Sequence, residues 1–385
     1  MFKALQTLLI LGCLLISALS HAGTLSYRGG EIEYQSGYMD PETFNGEIRG
    51  VTFLLNTGET AFADYMKIRT TPLDNPDRLR VDTFRMSNFT FESTDGILAF
   101  SSVDLSGLEL RGSSPDIGDL FSGEYIEDDI LLIGDAELQG LYMDLPEEGV
   151  VSLNSLKLLT RQIEINVLET LPMQEGTIIL DQLVLSPASA SSDFAEELAE
   201  LGLDQLVINA RFDTNIDEKV DRVDTAMEGD ITINGLGQIR LLLDIGFLNS
   251  TLQMLDAVLR SRELASNEQL GTLILSGGLF NKAEITLVDR GILPLAFSSY
   301  RNETGTGRDQ AVAEIMDMLA MSTGLFAPRS YTLFAPEIKR FLLTGGSLRF
   351  LMRPSGPTPF SSFLGFAAAP DTAISLLGAD IQHYP

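Results

Sequence analysis

Five residues of DTNIDEKVDRVD, Asp213 to Asp224, stand where a helix-loop-helix calcium site keeps its oxygen ligands: Asp213, Asn215, Asp217, Asp221 and Asp224 fall at positions 1, 3, 5, 9 and 12. The remaining requirements of such a loop are missing. Position 6 is Glu218 where the sharp turn needs glycine, position 12 is Asp224 instead of the longer bidentate glutamate, and no flanking helices are suggested. The segment reads instead as a polar turn between the strands LVINARF and MEGDITI, and no metal ligand is assigned.

Other chemistries are limited by what the chain lacks. Beyond residue 22 there is one histidine, His383, and neither cysteine nor tryptophan. A Ser/His/Asp triad would have to recruit that imidazole, a cysteine nucleophile is absent, and zinc or iron sites of the His/Cys type have no ligands. Neither a P-loop nor a strand-to-helix Gly-rich dinucleotide fingerprint occurs. Carboxylates are plentiful, at 54 Asp plus Glu. A glycosidase built on two of them remains an alternative, although a chain without Trp lacks the usual sugar platform. The acidic EYIEDD, Glu124 to Asp129, reads as a solvated loop. Asp289-Arg290, at a strand end before Gly291, reads as a turn salt bridge. No catalytic, cofactor-binding or metal residue is assigned, no cofactor is implied, and the expectation is a non-enzyme.

The chain opens MFKALQTLLILGCLLISALSHAG, with Lys3, an apolar run and the small-residue exit Ser20-His21-Ala22. This is the pattern of a secretory signal peptide, with cleavage expected after Ala22. Its removal takes away the single cysteine, Cys13, so an exported chain without disulfides points to a Gram-negative periplasm. The net charge of −28 opposes phosphate backbones, which excludes nucleic acid as a partner. The 44% hydrophobic content argues for a large packed core.

The elements that would position any site are mostly strands. A phrase of one grammar recurs, apolar, two polar or small, apolar, any, apolar: IRGVTF from Ile48, MSNFTF from Met86, LSGLEL from Leu105, LQGLYM from Leu138, LNSLKL from Leu153, LDQLVL from Leu180 and LDQLVI from Leu203. INGLGQIRL from Ile233 is a looser copy. In an unbroken strand, positions i and i+3 face opposite sides. To bring all three apolar residues to one side, the polar pair must absorb a bulge or a sharp bend. Leu180, Leu183 and Leu185 are then expected on one side, as are Leu203, Leu206 and Ile208, with Asp181 and Asp204 as solvent-facing turn residues. TLILSG from Thr272, EITLVD and LRFLM read as further strands.

Helical patterns are few. SSDFAEELAELG places Phe194, Leu198 and Leu201 on one face, with Asp193 as cap. TLQMLDAVLRSREL does the same with Leu252, Leu255 and Leu259. QAVAEIMDMLAMS shows a Val312, Ile315, Leu319 stripe widened by Met316, Met318 and Met321. Pro336 is positioned to start PEIKRFLL. The expected fold is mainly β, a long, meandering, strongly curved antiparallel sheet with a few amphipathic helices mostly in the C-terminal part. The division is residues 1–22 as signal peptide, 23–240 as β-rich meander and 241–385 as a strand-plus-helix part continuing the sheet.

These recurring strands over residues 45 to 245, with EITLVDRG and FLLTGGSLRFLMRP, resemble those of periplasmic proteins distantly related to the AsmA-like envelope proteins. The resemblance implies a curved β-sheet with an apolar inner face and a role in handling lipid, and carries over no catalytic residue. The functional expectation is therefore a periplasmic binding protein for lipid or another apolar envelope component. The alternative is an envelope scaffold that binds partner proteins and no small ligand. An outer-membrane β-barrel is a further alternative, opposed by the amphipathic helices and the missing Trp girdles.

Overall fold

The structure is a computed structural model that describes residues 23–27, 30–40, 45–56, 58–72, 78–111, 130–146, 149–166, 168, 173–187, 193–200, 202–260, 267–323, 327–366 and 369–385. The expected signal peptide, residues 1–22, and the Glu124–Asp129 stretch lie outside the described residues. Strands make up 57% of the structure and the helices lie mostly towards the C-terminus, so the fold is mainly β. The chain packs as two compact units. The first runs through Arg161 and takes in Ile178–Ala195; the second holds Gln162–Thr177 and Glu196–Pro385.

The first unit is an antiparallel meander of β1 (Gly23–Tyr27), β2 (Gly30–Asp40), β3 (Asn45–Leu55), β4 (Thr60–Pro72), β5 (Arg78–Ser93), β6 (Gly96–Arg111), β8 (Ala136–Leu145) and β9 (Gly149–Ile163). The short β7 (Ile130–Leu132) pairs beside β6, and β10 (Met173–Ser186) is shared between the two units. The recurring phrases lie on these strands and bend them. In five of the seven phrases the third residue is in the left-handed region: Gly50 (φ 58°), Asn88 (φ 50°), Gly107 (φ 68°), Gly140 (φ 63°) and Gln182 (φ 51°).

No residue is inserted at the bends of Gly50 and Gly140. Pairing of β3 with β4 passes from Arg49↔Tyr65 to Val51↔Ala63, and of β8 with β9 from Gln139↔Ser155 to Leu141↔Leu153, in unchanged register. The expected bulge is thus a paired bend. A left-handed residue reverses the pleat on one strand while its partner skips a rung at the same level. Register shifts occur between Arg69 and Thr70 in the β4–β5 pair, between Glu109 and Leu110 at the end of the LSGLEL phrase in the β6–β7 pair, and between Asp244 and Ile245 in the second unit.

The bends deliver the apolar positions to one side, as the phrase requires. Ile48, Val51 and Phe53 are all buried, as are Met86 and Phe89, Leu138 and Leu141. Across the sheet they form a row, Ile48↔Met66, Met66↔Met86, Met86↔Val103, Val103↔Leu138 and Leu138↔Leu156. Phe53 and Phe84 are 0% exposed, and the Phe89 and Phe100 rings stack at 4.8 Å. Leu180 and Leu183 pack against the same core. Each such side chain contributes about 1.5–3 kcal/mol by leaving water. Polar side chains join along the seam: Asn88 Nδ2 donates to Asp64 at 2.8 Å, and Asn154 Nδ2 to Asp181 at 2.5 Å. Asp181 is therefore a bonded strand residue and not part of a turn, whereas Asp204 is exposed in the loop before β11 (Leu206–Glu218).

The second unit pairs β11 with β12 (Arg222–Ile233), β12 with β13 (Gly237–Leu248), β13 with β14 (Gly278–Asp289), β14 with β15 (Ser347–Met352) and β15 with β17 (Ala379–Tyr384), all antiparallel, with the short β16 (Thr358–Pro359) beside β14. The expected helices form as α1 (Asp193–Glu200), α2 (Asn249–Arg260) and α5 (Arg308–Thr323). Their neighbours bring corrections.

TLILSG is helical, inside α3 (Asn267–Gly277). Its β-branched residues favour a strand locally, but α3 lies so close to α2 that a Cβ on Gly277 would strike Thr251, and this packing decides the conformation. ILPLAFSSYRNET forms α4 (Ile292–Thr304), whose first N–H groups at Gly291 and Leu293 donate to Asp289 Oδ1 at 3.1 and 3.0 Å. Asp289 is therefore a helix cap and not the partner of Arg290. The next helix, α6 (Pro328–Thr344), starts at Pro328 and carries Pro336 in its interior. Its open N–H groups at Arg329 and Ser330 are met from afar by Asp371, just inside α8 (Pro370–Leu377). Val312, Met316 and Ala335 form the α5–α6 core with Phe297 and Leu319 packed on it, whereas Met318 and Met321 point out at 63% and 75% exposure. A four-residue turn, α7 (Phe363–Phe366), completes the unit.

Candidate functional site

The calcium-like segment is a β-hairpin. In its ladder Asp213 pairs with Glu228 and Asp217 with Asp224, so the carboxylates are strung along two strands and do not converge. Each is engaged by a neighbour. Asp213 accepts Arg211 Nε at 2.7 Å and Thr177 Oγ1 at 2.6 Å; Asp217 pairs with Lys219; Asp224 accepts Arg222 Nε at 2.8 Å. Among the described residues no group of three or more His, Cys, Asp or Glu is placed to hold a metal ion. His383 Nε2 lies 2.7 Å from the carbonyl of Gly345, and its ring meets Phe341 at 6.4 Å.

One face of the β11–β15 ladder is polar. Arg211, Asp213, Glu228, Asp230, Arg240 and Glu284 border a shallow cavity of about 310 Å³ there. Two of its carboxylates besides Asp213 are compensated: Arg240 Nε reaches Asp230 at 3.4 Å, Gln238 donates to Asp230 at 2.6 Å, and Arg349 holds Glu284 by two hydrogen bonds of 2.8 Å. The Arg211 and Thr177 hydrogen bonds lower the pKa of Asp213, and the Arg349 bond lowers that of Glu284. A general acid needs the opposite shift. The arrangement is that of a solvated, ion-paired sheet face.

The opposite face of the same strands is apolar from edge to edge. Register places Phe212, Gly229, Leu241, Ile285, Phe350 and Ile381 in one row across β11, β12, β13, β14, β15 and β17. A parallel row holds Ala210, Ile231, Ile239, Leu287 and Leu348, and another Met227, Leu243, Ala283 and Met352. Side chains alternate across a strand, so these residues share the side away from the ion pairs.

Helices seal the ends of this face. Phe334 of α6 meets Phe350 edge-on at 5.5 Å, while Leu252 of α2 packs with Val223, and Leu255 and Phe247 pack against that cluster. The middle is left partly open. Met227 and Ile285 are each 41% exposed, and Phe212, Leu241, Leu243 and Phe350 are only half-buried. The contrast with the first unit is sharp, because there Phe53, Phe84, Phe89 and Phe100 are 0–3% exposed. Phe212 lies over Gly229, where a Cβ would come within 2.7 Å of its ring, so the row is continuous across the glycine.

The sequence alone marked the strands of this face but not its openness, which depends on where α2 and α6 come to rest. No helix among the described residues is long and apolar enough to cross a membrane. A protein-family model described as "Uncharacterized protein" matches residues 230–384, which takes in the end of β12 and the elements that follow it. No curated protein matches the chain.

Proposed function

We propose that the protein is a non-catalytic binding protein of the Gram-negative periplasm, exported by the signal peptide of residues 1–22, and that the apolar face of its second unit takes lipid acyl chains or a similar apolar envelope component. The observation that carries this reading is the half-open row Phe212, Leu241, Ile285 and Phe350, with Met227 beside it at 41% exposure. Seating a chain on such a face removes apolar surface from water at about 0.8 kcal/mol per buried CH₂, so a few methylenes per strand suffice for stable binding. The likeness to AsmA-like envelope proteins in sequence supports the same reading. The test is mass spectrometry of the protein purified after export, with Ile285→Asp and Met227→Asp alongside. Copurifying lipid that the two variants lose supports the proposal; protein free of lipid and indifferent to added fatty acid overturns it.

A second reading, docking of an envelope partner protein, is favoured by Met318, Met321 and Leu364, exposed at 63%, 75% and 70%. Adaptable methionines suit a variable partner surface. Pull-down from envelope extracts with Met318→Asp and Met321→Asp separates it from lipid binding.

A further inference from the structure

On the outer face of β4 and β5 three rungs follow one another in register: Tyr65↔Ser87, Lys67↔Arg85 and Arg69↔Thr83. The residues between them, Met66, Ile68, Phe84 and Met86, are buried in the core of the first unit, which turns the six polar side chains outward. They line a shallow cavity of about 520 Å³ with Asp104 of β6 at its margin.

The charges of this block are balanced only at Arg85, by Asp104. Lys67 stands directly across from Arg85, and like charges in that position destabilise a strand pair. Each neighbouring carboxylate is engaged by a group other than Lys67 or Arg69. Glu47, across β3–β4 from Lys67, accepts Arg49 Nη2 at 2.9 Å; Asp104 takes Arg85 Nε at 3.2 Å; Glu137 pairs with Lys157 at 2.8 Å; Asp82 accepts Thr71 Oγ1 at 2.5 Å and lies 3.3 Å from Arg80 Nε. Among the described residues no ion pair reaches Lys67 or Arg69. In a chain of net charge −28, two adjacent uncompensated cations beside a third define a local field of the opposite sign.

Neutral donors complete the block. The hydroxyls of Thr83, Ser87 and Tyr65 border the same cavity. Burial, followed by the Glu47 carboxylate, raises the Tyr65 pKa and keeps the phenol protonated as a donor, and the Arg49 guanidinium lies 5.7 Å from the ring centre. Ammonium, guanidinium and hydroxyl groups converging on one side are the complement of a tetrahedral oxyanion.

We propose that this block is a binding site for a phosphate-type oxyanion, either free inorganic phosphate or the phosphomonoester headgroup of a lipid. It lies in the first unit and is independent of the apolar face. Lys67 and Arg69 supply the charge, Arg85 is steadied by Asp104, and the hydroxyls orient the oxygens. Binding at so exposed a site is sensitive to salt.

The full chain is titrated with inorganic phosphate by calorimetry at low ionic strength. In parallel it is sedimented with phosphatidylcholine vesicles with and without phosphatidic acid. Phosphate affinity that falls at least about tenfold in the Lys67→Gln, Arg69→Gln double variant, is retained in Lys67→Arg and is unchanged in Arg240→Gln supports the site with free phosphate as the source. Sedimentation with the phosphatidic acid vesicles alone, lost in the same double variant, supports it with the headgroup as the source. Circular dichroism confirms that the variants are folded. Failure of the native chain to bind either probe, or undiminished binding by the double variant, overturns the proposal.

Discussion

Replacing Gly140 by Ala tests the bend that organises the first unit. Gly140 sits at φ 63°, and a Cβ there would strike Ser101 Oγ, with Ser101 Cβ at 3.1 Å. Holding an alanine in the left-handed region costs about 1–2 kcal/mol. Overlap with Ser101 adds about 1–3 kcal/mol, because the neighbour must leave its rotamer or the strands must part. The reduced freedom of the unfolded chain offsets about 0.5–1 kcal/mol. The expected net loss is about 1–4.5 kcal/mol, a large share of a domain's stability.

Two comparisons divide this loss into its parts. Gly58→Ala keeps the backbone penalty, at φ 86°, without overlap, because nothing lies within 4 Å of its Cβ, and so costs less. Ser101→Gly in the Gly140→Ala background recovers the overlap and leaves the backbone cost, a coupling readable as a double-mutant cycle. With no Trp in the chain, urea unfolding is followed by far-UV circular dichroism, and hydrogen exchange of β6, β8 and β9 peptides assigns the loss to the first unit. A Gly140→Ala variant within about 0.5 kcal/mol of the native chain refutes the bend, since ordinary surface substitutions fall in that range.

Phe89→Ala, which removes the ring stacked on Phe100, is expected to cost about 3–5 kcal/mol in the same unfolding assay. Glu284 has its pKa lowered by Arg349, so folding gains from that pair above the ordinary carboxylate range. The gain declines as pH falls through that range towards the lowered folded-state value, and Glu284→Gln should flatten this part of the stability profile. Calcium up to millimolar levels should leave the melting temperature unchanged, because Asp213, Asp217 and Asp224 are already paired with Arg211, Lys219 and Arg222; a calcium-dependent rise contradicts the hairpin account.

The recurring phrase was legible because its three apolar positions persist while the polar pair varies, and that pattern demands a bend whatever the partner strand. Its mechanism was not legible. A bulge and a paired left-handed bend place Leu138 and Leu141 on the same side, and only the register of the neighbour distinguishes them. Asn88 and Gln182 show the difficulty, because a non-glycine residue in the left-handed region carries a weak local signal. In the second unit, TLILSG and Asp289 were misread because tertiary partners set their roles: α2 packs against the first, and the start of α4 is capped by the second. The Met318 and Met321 side chains fit a helical stripe, yet Val312 and Met316, with Leu319 packed beside them, fill the space against α6.

The openness of the apolar face is the central claim, and a photoactivatable fatty acid addresses it directly. After irradiation with the full chain, digestion and tandem mass spectrometry locate the adducts. Adducts on Met227, Leu241, Leu243, Ile285 and Phe350, reduced by competing unlabelled fatty acid and lost in Ile285→Asp, are the expected result. An absence of adducts, or adducts confined to Met318, Met321 and Leu364, contradicts the claim.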